Sequence, residues 1–458
     1  MMKENTTSSS SLSSKTFYVE NLGCSKNQVD AETIIAALKN AGWEYCDSPD
    51  RAELLIVNTC GFIQSAKEES IQTIFDYRQA YPDRKVLAAG CFAQRYNEEL
   101  LKMIPELDGV FGNRAPAKIS GILPGILAGE KPVYMPEADL SAPMRSDFFN
   151  FKGSAFVKIS EGCNNRCKFC AIPLIKGDLQ SRNMEDILEE IRDLLNKGIF
   201  EINLVAQDLA NFGLDRGKRQ LKELLEAISS MKGEFWLRLL YIHPDHFPME
   251  ILPLMKADPR ILPYFDIPFQ HGDRNILAKM GRKGDRETYL NLVKTLRDEF
   301  PEGVIRSSIM AGFPGETNKS FAELKRFMKE ARLDWAGFFL YSREEGTEAY
   351  NYRGSLGTKL SLRKSKGRKS ELEELQQVIS EEQMDRFVGK ELTLIVEEKV
   401  GEESLYLSRS SFQAPEVDGL VVLRAEGLEP GHVVRARIIK RNGVDLEAVL
   451  LESQVNQV

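Results

Sequence analysis

Short apolar runs alternate with helical patterns along most of this 458-residue chain, and this alternation limits the folds open to it. The first three runs occur in TFYVENLGC, ELLIVNTC and RKVLAAGC, and each is typical of a buried β-strand. Helical patterns such as DAETIIAALKNAG lie between them. Because strands joined through helices form parallel sheets with right-handed crossovers, this part of the chain predicts an α/β domain with a parallel sheet.

A cysteine follows directly after each of these three runs, at Cys24, Cys60 and Cys91. Ligands of parallel sheets collect at the carboxyl ends of the strands, so we expect the three thiols to converge on one edge. The alternative is three unrelated buried thiols, since free cysteine is common in protein cores. Cys46 follows a helical pattern instead and is expected to be structural.

Six more strand-like runs alternate with helical patterns between residues 152 and 350. They are SAFVKISE, FEINLVAQD, FWLRLLYIH, PYFDIPFQ, GVIRSSIMAGF and DWAGFFLYS. Six βα units predict an incomplete, open barrel of the TIM type, whose active site faces the carboxyl ends of the strands. Cys163, Cys167 and Cys170 follow the first of these runs, so we expect them at that mouth.

The spacing of these last three cysteines, Cys-x3-Cys-x2-Cys, supplies three clustered thiolates without an evident fourth ligand. Structural zinc usually takes four closed ligands, most often in Cys-x2-Cys pairs. A soft thiolate site that lacks one ligand favours a metal centre with one position left open for chemistry.

The N-terminus and the cysteines together indicate the cellular compartment. The segment MMKENTTSSSSLSSK is polar and Ser-rich, so residues 1–15 are expected to form a disordered leader and not a signal peptide. No apolar run approaches the roughly 20 residues that span a bilayer, so no membrane partner is expected. In a reducing cytoplasm, the seven cysteines serve metal binding or catalysis more readily than disulfides.

The cysteine spacing after the first barrel strand resembles that of the radical S-adenosylmethionine (SAM) enzymes. This resemblance implies that Cys163, Cys167 and Cys170 hold a [4Fe–4S] cluster, and that its fourth iron stays free to chelate SAM. The cluster passes an electron to SAM and cleaves it, and the radical chemistry belongs to the cofactor.

Two further features fit the same resemblance. Phe169 is similar to the family's aromatic residue that packs by the adenine, although simple core packing is the alternative. The segment GFPGET at 312–317 resembles the family's Gly-rich turn beside the nucleoside. The contacts implied for the cofactor are Phe169, Gly312, Pro314, Gly315 and Glu316.

The order of segments narrows the resemblance to the methylthiotransferases. NLGCSKNQVDAE, NTCGFI and AAGC are similar to that family's three N-terminal motifs. By this resemblance, Cys24, Cys60 and Cys91 hold a second [4Fe–4S] cluster whose open iron carries the sulfur to be inserted. One SAM then donates a methyl group and another yields the 5′-deoxyadenosyl radical. An external electron donor such as flavodoxin or ferredoxin is implied.

The fold class expected from this pattern is α/β with three parts and two connections. They are a methylthiotransferase domain with a parallel sheet at 16–125, a linker at 126–151, a partial TIM-type (β/α)6 radical SAM core at 152–350, a linker helix at 351–388, and a small all-β barrel resembling the TRAM module at 389–458.

The charge of the tail bears on the substrate, because members of this family modify either a tRNA adenosine or one aspartate of a ribosomal protein. Residues 389–458 contain 8 Lys and Arg against 12 Asp and Glu. An RNA-binding surface is normally basic, because phosphate neutralisation supplies most of its affinity. An acidic module suits a basic protein partner. A merely solvated acidic face is the alternative.

Four segments resemble the aspartate-modifying branch: FCAIPLIKGDLQSR, ILPYFDIPFQHG, YSREEGT and QAPEVDG. The implied substrate is small ribosomal subunit protein number twelve, free or in the subunit. Methylthiolation at the β-carbon of its aspartate gives 3-methylthioaspartate. Glu416 and Asp418 of QAPEVDG are predicted to recognise this substrate, and the alternative is that they only shape a turn.

Two other functions are weighed against this one. The first is a tRNA adenosine methylthiotransferase, which the acidic tail disfavours. The second is a non-catalytic iron–sulfur carrier, which the GFPGET turn and the open-site cysteine spacing disfavour.

Two features have no assigned role. His243 and His246 in YIHPDHFP are expected in a surface turn, because the sequence shows no acidic or cysteine partner beside them. A basic run precedes the acidic ELEELQQVISEE and is expected to be a solvated linker and helix, with a contact to ribosomal RNA as the alternative. Its cations are Lys359, Arg363, Lys364, Lys366, Arg368 and Lys369.

Overall fold

The structure is a computed structural model that describes residues 15–352, 359–401 and 404–456, the side chains of 359–360 and 452–456 excepted. The expected leader therefore lies outside the described residues, apart from Lys15. Two units are distinct. The first comprises the chain up to Phe149 together with Ala171–Asp178, and the second comprises Asn150–Cys170 and the chain from Leu179 onward.

Over its described residues, the first unit contains six strands and five α-helices. The strands are β1 (Thr16–Asn21), β2 (Glu44–Tyr45), β3 (Leu54–Thr59), β4 (Lys85–Ala89), β5 (Gly109–Phe111) and β6 (Val133–Tyr134). The helices are α1 (Ser25–Asn40), α2 (Gln64–Ala80), α3 (Gly90–Met103), α4 (Leu123–Leu127) and α5 (Ile172–Ile175). The strands form one parallel sheet in the order β2-β1-β3-β4-β5-β6.

This sheet has a hydrophobic core on each face. Leu54 and Ile56 of β3 enter a core shared with α1, whereas Leu55 and Val57 enter a second core shared with α2 and α3. Strand β3 is buried at every position because both faces are covered, which explains its continuous apolar run. The predicted parallel sheet is confirmed.

The expected linker at 126–151 differs from the structure. Strand β6 pairs in parallel with β5 and extends the sheet. Arg145 is buried and forms an ion pair with Glu32 of α1, whose side chain is also buried. This segment is therefore held on the first unit up to Phe149.

The second unit begins with eight strands, six of which are parallel. The strands are β7 (Ser154–Lys158), β8 (Ser160–Glu161), β9 (Gln180–Ser181), β10 (Glu201–Val205), β11 (Trp236–Leu239), β12 (Tyr264–Asp266), β13 (Val304–Ala311) and β14 (Trp335–Leu340). The helices are α6 (Met184–Asn196), α7 (Leu221–Ser229), α8 (Leu252–Ala257), α9 (Arg274–Lys279), α10 (Arg286–Glu299) and α11 (Asn318–Ala331).

The six parallel strands form two three-stranded sheets, β11-β10-β7 and β12-β13-β14. A parallel bridge between Leu237 and Ile261 lies where the two sheets meet. All six strands predicted from the sequence are present. The partial (β/α)6 barrel is therefore confirmed.

The last part of the second unit is a helix and a small barrel. The elements are α12 (Lys359–Met384), β15 (Glu391–Lys399), β16 (Leu405–Ser410), β17 (Val421–Arg424), β18 (Val433–Asn442) and β19 (Asp445–Asn456). The five strands close in the order β15-β16-β17-β19-β18, which confirms the small all-β tail. None of the helices that the structure describes is both long and apolar enough to cross a bilayer.

A buried ion network joins this small barrel to the open barrel. Glu201, the first residue of β10, accepts hydrogen bonds from Arg238 of β11 at 2.7 Å and from Arg409 of β16 at 2.6 Å. Burial alone would raise the pKa of Glu201, but the two guanidinium groups hold it at about 2. Because Glu201 begins its strand, the tail is seated at the end of the open barrel opposite to its mouth.

Candidate metal centres

The loop from Gly162 to Cys170, here called the cysteine loop, carries three cysteines past the end of β8. It begins with Gly162 in a left-handed conformation (φ 70°), which glycine adopts without steric cost. The loop is held by backbone hydrogen bonds on two sides. Lys168 N–H donates to the Met280 carbonyl at 3.0 Å, and its carbonyl accepts from Ala349 N–H at 2.8 Å.

The three cysteines of the loop, Cys163, Cys167 and Cys170, form no disulfide and are half-buried. Burial raises the pKa of Cys163 to about 11, and the N–H of Asn165, 3.5 Å from its sulfur, partly offsets that rise. Three partly exposed thiols within eight residues fit the soft donor set of a [4Fe–4S] cluster.

The predicted aromatic contact lies beside the Gly-rich turn. Phe169 is half-buried and meets Phe313 of GFPGET edge-on, with ring centroids 6.4 Å apart. Phe313 is fully buried and also packs against Tyr341 at 5.2 Å. The structure thus brings the cysteine loop and the Gly-rich turn together at the mouth.

The turn depends on its two glycines. Gly312 (φ 79°) and Gly315 (φ 90°) are both left-handed, and Pro314 between them is buried. The chain then enters α11, whose cap Thr317 accepts a hydrogen bond from Ser320 N–H at 3.1 Å. The predicted contacts Gly312, Pro314 and Gly315 therefore form one fixed turn beside Phe169.

Glu316, the acid of the GFPGET segment, is buried. Its side chain is only 1% exposed, and its carboxylate accepts from Gly312 N–H at 3.0 Å and pairs with Arg368. Burial would raise the pKa of Glu316, but His271 and Arg368 lower it overall. The carboxylate thus holds the turn, and a direct contact of Glu316 with the cofactor stays a prediction.

The same contact changes the interpretation of the basic run. Arg368 is buried on Glu316 and cannot serve as a solvated or RNA-binding cation. Lys369 pairs with Glu373 of the same helix. The side chain of Lys359 lies outside the described residues. The exposed cations of the run are Arg363, Lys364 and Lys366.

The N-terminal cysteines follow three neighbouring strands of the parallel sheet. Cys24 comes after β1, Cys60 after β3 and Cys91 after β4. Burial raises the pKa of Cys60 to about 11 and that of Cys91 to about 12, and in both cases the nearby Cys24 thiol raises it further. The structure therefore places all three thiols together at the carboxyl edge of the sheet.

The surroundings of these thiols also fit an inserted cluster. Gly23 is left-handed (φ 106°), and a Cβ there would lie 3.2 Å from the sulfur of Cys60. A side chain would thus crowd the thiol. Cys91 packs with Ala171 and Ile175 on its other side. The site is therefore apolar on the side of Cys91, exposed at Cys24 and lined by three sulfurs, which suits a [4Fe–4S] cluster.

Amide side chains that were not among the predicted site residues support these thiols. Asn113 Nδ2 donates to the sulfur of Cys91 at 3.2 Å. Asn27 Nδ2 donates to the Asn58 carbonyl at 3.1 Å, and Asn58 Nδ2 donates to the Asn27 carbonyl at 2.7 Å. Asn27 and Asn58 lie within the cysteine motifs, so the sequence offered a signal that they belong to the site. No motif marks Asn113.

The two histidines are not in a solvent-exposed turn. His243 is buried, and burial with the nearby Arg282 lowers its pKa to about 3. His246 Nε2 lies 2.6 Å from the buried carboxylate of Asp208, so the expectation that no acidic partner exists is wrong. Asp208 lies in the loop after β10, 38 residues from His246 in the sequence. Their contact could therefore not be predicted from the residues next to the histidines. Over the described ranges, no three His, Cys, Asp or Glu side chains are arranged to hold a single metal ion.

The two acids of QAPEVDG have different surroundings. The Asp418 side chain is 0% exposed and accepts from Tyr264 hydroxyl at 2.5 Å, with Arg306 Nε 3.4 Å away. Glu416 is exposed and left-handed (φ 66°). Asp418 also accepts from Ala414 N–H at 2.8 Å, which agrees with the alternative that it shapes a turn. Its contacts to Tyr264 and Arg306 also join the tail to the open barrel, which was not predicted.

Three family models match the chain. They are the uncharacterized protein family UPF0004 at residues 16–112, the Radical SAM superfamily at 157–328 and the TRAM domain at 388–451. Their order agrees with that of the parallel-sheet unit, the open barrel and the closed barrel.

Curated relatives are similar over nearly the whole chain. Ribosomal protein uS12 methylthiotransferase RimO of Treponema denticola is 44% identical and covers 93% of this chain and 99% of its own length. The RimO protein of Carboxydothermus hydrogenoformans is 39% identical over 94% of this chain and 98% of its own length. That of Thermotoga maritima is 41% identical over 89% and 93%, respectively.

Solved structures share the fold at low sequence identity. The radical SAM methyltransferase TsrM from Kitasatospora setae, solved with cobalamin and a [4Fe–4S] cluster, matches with a TM-score of 0.54 and 14% identity. The match covers 73% of this chain and 74% of TsrM.

Proposed function

This chain belongs to the RimO family of ribosomal protein uS12 methylthiotransferases, and we propose that its two cysteine triads hold the two [4Fe–4S] clusters used to methylthiolate uS12. It is a radical SAM enzyme whose cofactors are those clusters and SAM. The observation that supports the assignment is the position of the triads. The first triad follows three neighbouring parallel strands, and the second lies on one loop beyond the carboxyl end of parallel strand β7, after the short antiparallel β8. Parallel α/β folds place their ligands at such strand ends.

The radical cluster is assigned to Cys163, Cys167 and Cys170. When bound, this cluster supplies the electron that cleaves SAM, and the second cluster supplies the sulfur to be inserted. The residues of this chain provide position and shelter. Phe169 and the glycine turn at 312–315 form one wall of the mouth, so we assign them to SAM, with Glu316 behind them.

The second cluster is assigned to Cys24, Cys60 and Cys91. Their loops are fixed by the paired Asn27 and Asn58, and Asn113 adds a hydrogen bond to Cys91 sulfur. Hydrogen bonds to cluster sulfurs and the surrounding apolar residues tune such a centre. Cys24, Cys60 and Cys91 would hold the cluster through three thiolates, and the cluster would supply the sulfur to be inserted.

The substrate atom is the β-carbon of an aspartate of uS12, which gives 3-methylthioaspartate. The similar curated relatives are named as uS12 enzymes, and no observation favours a tRNA adenosine. The acidic tail agrees with a basic protein partner. Of the two predicted recognition residues, we retain only Glu416, because Asp418 is enclosed by the chain itself.

We further propose that a flavodoxin or ferredoxin is the reductant and that the reaction takes place in the cytoplasm. The exposed Arg363, Lys364 and Lys366 of α12 fit a solvated helix, and a contact to ribosomal RNA beside uS12 is the alternative that we propose to test. Neutralising them should weaken salt-dependent binding to free small subunits, whereas neutralising Lys218, Lys222 and Lys232 on the barrel exterior should not.

The function is tested by mass spectrometry of ribosomal proteins and of tRNA hydrolysates from cells that lack this chain. We expect uS12 to lose one methylthio group and tRNA to be unchanged. Restoring the wild-type chain should restore the modification. Loss of a methylthio group from tRNA, with uS12 intact, would move the chain to the RNA-modifying branch. Failure of the reduced, cluster-loaded protein to form 5′-deoxyadenosine would instead support the iron–sulfur carrier.

A further inference from the structure

A buried carboxylate beside the cysteine loop has no role in either cluster assignment. Asp208 follows β10, and its side chain is almost fully enclosed. Its Oδ2 accepts hydrogen bonds from Asn165 Nδ2 at 2.8 Å, Asn211 Nδ2 at 2.9 Å and His246 Nε2 at 2.6 Å. Its Oδ1 accepts from two backbone amides at 3.2 Å. One carboxylate therefore joins the loops that follow β8, β10 and β11.

Asn165 connects this carboxylate to the first cysteine of the loop. Its side chain donates to Asp208, and its Oδ1 accepts from Asn211 Nδ2 at 3.0 Å. Its backbone N–H points at the sulfur of Cys163, 3.5 Å away. Hydrogen bonds to sulfur are one of the means by which a protein sets the potential of an iron–sulfur cluster. Fixing the Asn165 side chain therefore fixes the donor that faces Cys163.

His246 holds the carboxylate from the other side. Since an ionised carboxylate only accepts, His246 Nε2 is the donor of their hydrogen bond. Its ring stacks on that of buried His243, with centroids 4.6 Å apart and planes 6° from parallel. The His246 ring is thus held by packing as well as by its hydrogen bond. The HPDH segment is therefore part of the support of the mouth.

We propose that Asp208 is a positioning residue for the radical cluster, which acts on Cys163 through Asn165 and is itself held by His246. This inference rests on the proposed function, because it requires a cluster at Cys163, Cys167 and Cys170. Groups that orient metal ligands from outside the ligand set commonly change metal affinity or activity by about 10- to 100-fold. A residue needed only for folding would stabilise the chain without changing how firmly iron is held.

The test measures how fast a chelator removes iron from the radical cluster in the full-length chain. The parent protein carries Cys24→Ala, Cys60→Ala and Cys91→Ala, so that only one cluster contributes. Asp208→Asn and Asn165→Ala should each accelerate iron loss by about tenfold. Asn165→Ala should also shift the midpoint potential of the cluster to a more negative value, since the loop N–H is no longer held on Cys163.

A matched control is Asp334→Asn. Asp334 is equally buried and accepts from Ile305 N–H at 2.8 Å, but it lies just before β14 at the opposite end of the barrel. It should lower the unfolding temperature without changing the rate of iron loss. His246→Gln retains an N–H donor and should resemble the parent, whereas His246→Ala should accelerate iron loss. These two variants and Asn165→Ala decide the outcome if Asp208→Asn does not fold.

Iron loss at the parental rate in Asp208→Asn and Asn165→Ala would overturn the inference. Equal acceleration by Asp334→Asn would also overturn it, because the effect would then be general destabilisation. A parent protein that binds no iron at its remaining triad would contradict the proposed function itself.

Discussion

At the scale of single residues, two glycines shape the turn that faces the cysteine loop. Gly312 and Gly315 both have φ values near +80 to +90°, which side chains with a Cβ rarely adopt. A Cβ on Gly315 would also meet the ammonium group of Lys279. The shape of the turn at 312–315, which we assign to SAM, is therefore set by the backbone. Phe313 between the two glycines packs against Phe169.

Gly315→Ala should lower the free energy of unfolding by about 1–2 kcal/mol, the usual cost of a left-handed Ala. It should also weaken SAM binding by about tenfold, or about 1.4 kcal/mol, because the turn must move. Gly389→Ala is the control, since Gly389 has a similar φ of 85° but open space around it in the tail. Calorimetry of unfolding and of SAM binding separates the two effects. Equal SAM affinity in both variants would contradict a role for the turn.

The placement of residues could be predicted from the sequence where it follows from strand ends. Cys24, Cys60 and Cys91 each come directly after an apolar run, and parallel pairing brings such positions together. Burial and long-range partners could not be predicted. A charge count does not distinguish the enclosed Asp418 from the exposed Glu416. Likewise, the partner of His246 comes from another loop and is 38 residues distant in sequence.

Among the elements, four strands share one buried ion network. Glu201 of β10 is paired with Arg238 of β11 and Arg409 of β16. Arg409 Nε also donates to Glu397 of β15 at 2.7 Å. Breaking one member of a buried ion network leaves charges without compensation, which commonly costs about 3–5 kcal/mol. The closed barrel and the open barrel should therefore unfold together.

Glu201→Gln should reduce the free energy of unfolding by about 3–5 kcal/mol at pH 7. The pKa of Glu201 is lowered to about 2, so its stabilising effect is full above about pH 4.5 and is lost as the pH falls toward 2. The difference between wild type and variant should shrink over that window. Denaturant unfolding between pH 2 and 7 measures it. A difference that does not depend on pH would contradict the assigned ionisation.

In the whole molecule, the tail packs on the open barrel, so deleting the tail would not test its role separately from the stability of the barrel. Trp335 Nε1 donates to the Phe412 carbonyl at 3.0 Å, and the Tyr264 hydroxyl donates to Asp418 of the tail at 2.5 Å. Deleting residues 389–458 would expose these contacts and leave the Glu201 network incomplete. We therefore expect a truncated chain to lose barrel stability, and SAM cleavage with it, although all six cluster cysteines lie upstream. Single exposed charges provide a cleaner test.

Glu416→Gln should slow the association of purified uS12 at low salt and have less effect at high salt, because exposed charges act mainly on the association rate. SAM cleavage without uS12 should be unchanged. Glu398→Gln, at another exposed acid of the tail, is the control and should have a smaller effect. Equal association rates for all three proteins at low salt would exclude electrostatic recognition through Glu416.

We propose that two separate triads hold two clusters with different tasks, and the iron content of two variants distinguishes this arrangement from a single cluster. The wild type should bind about eight irons per chain, as two four-iron clusters held by thiolates. Changing Cys163, Cys167 and Cys170 together to Ala should leave about half of the iron and abolish 5′-deoxyadenosine formation. Changing Cys24, Cys60 and Cys91 should also leave half, yet retain cleavage of SAM. Full iron in this second variant would contradict the account.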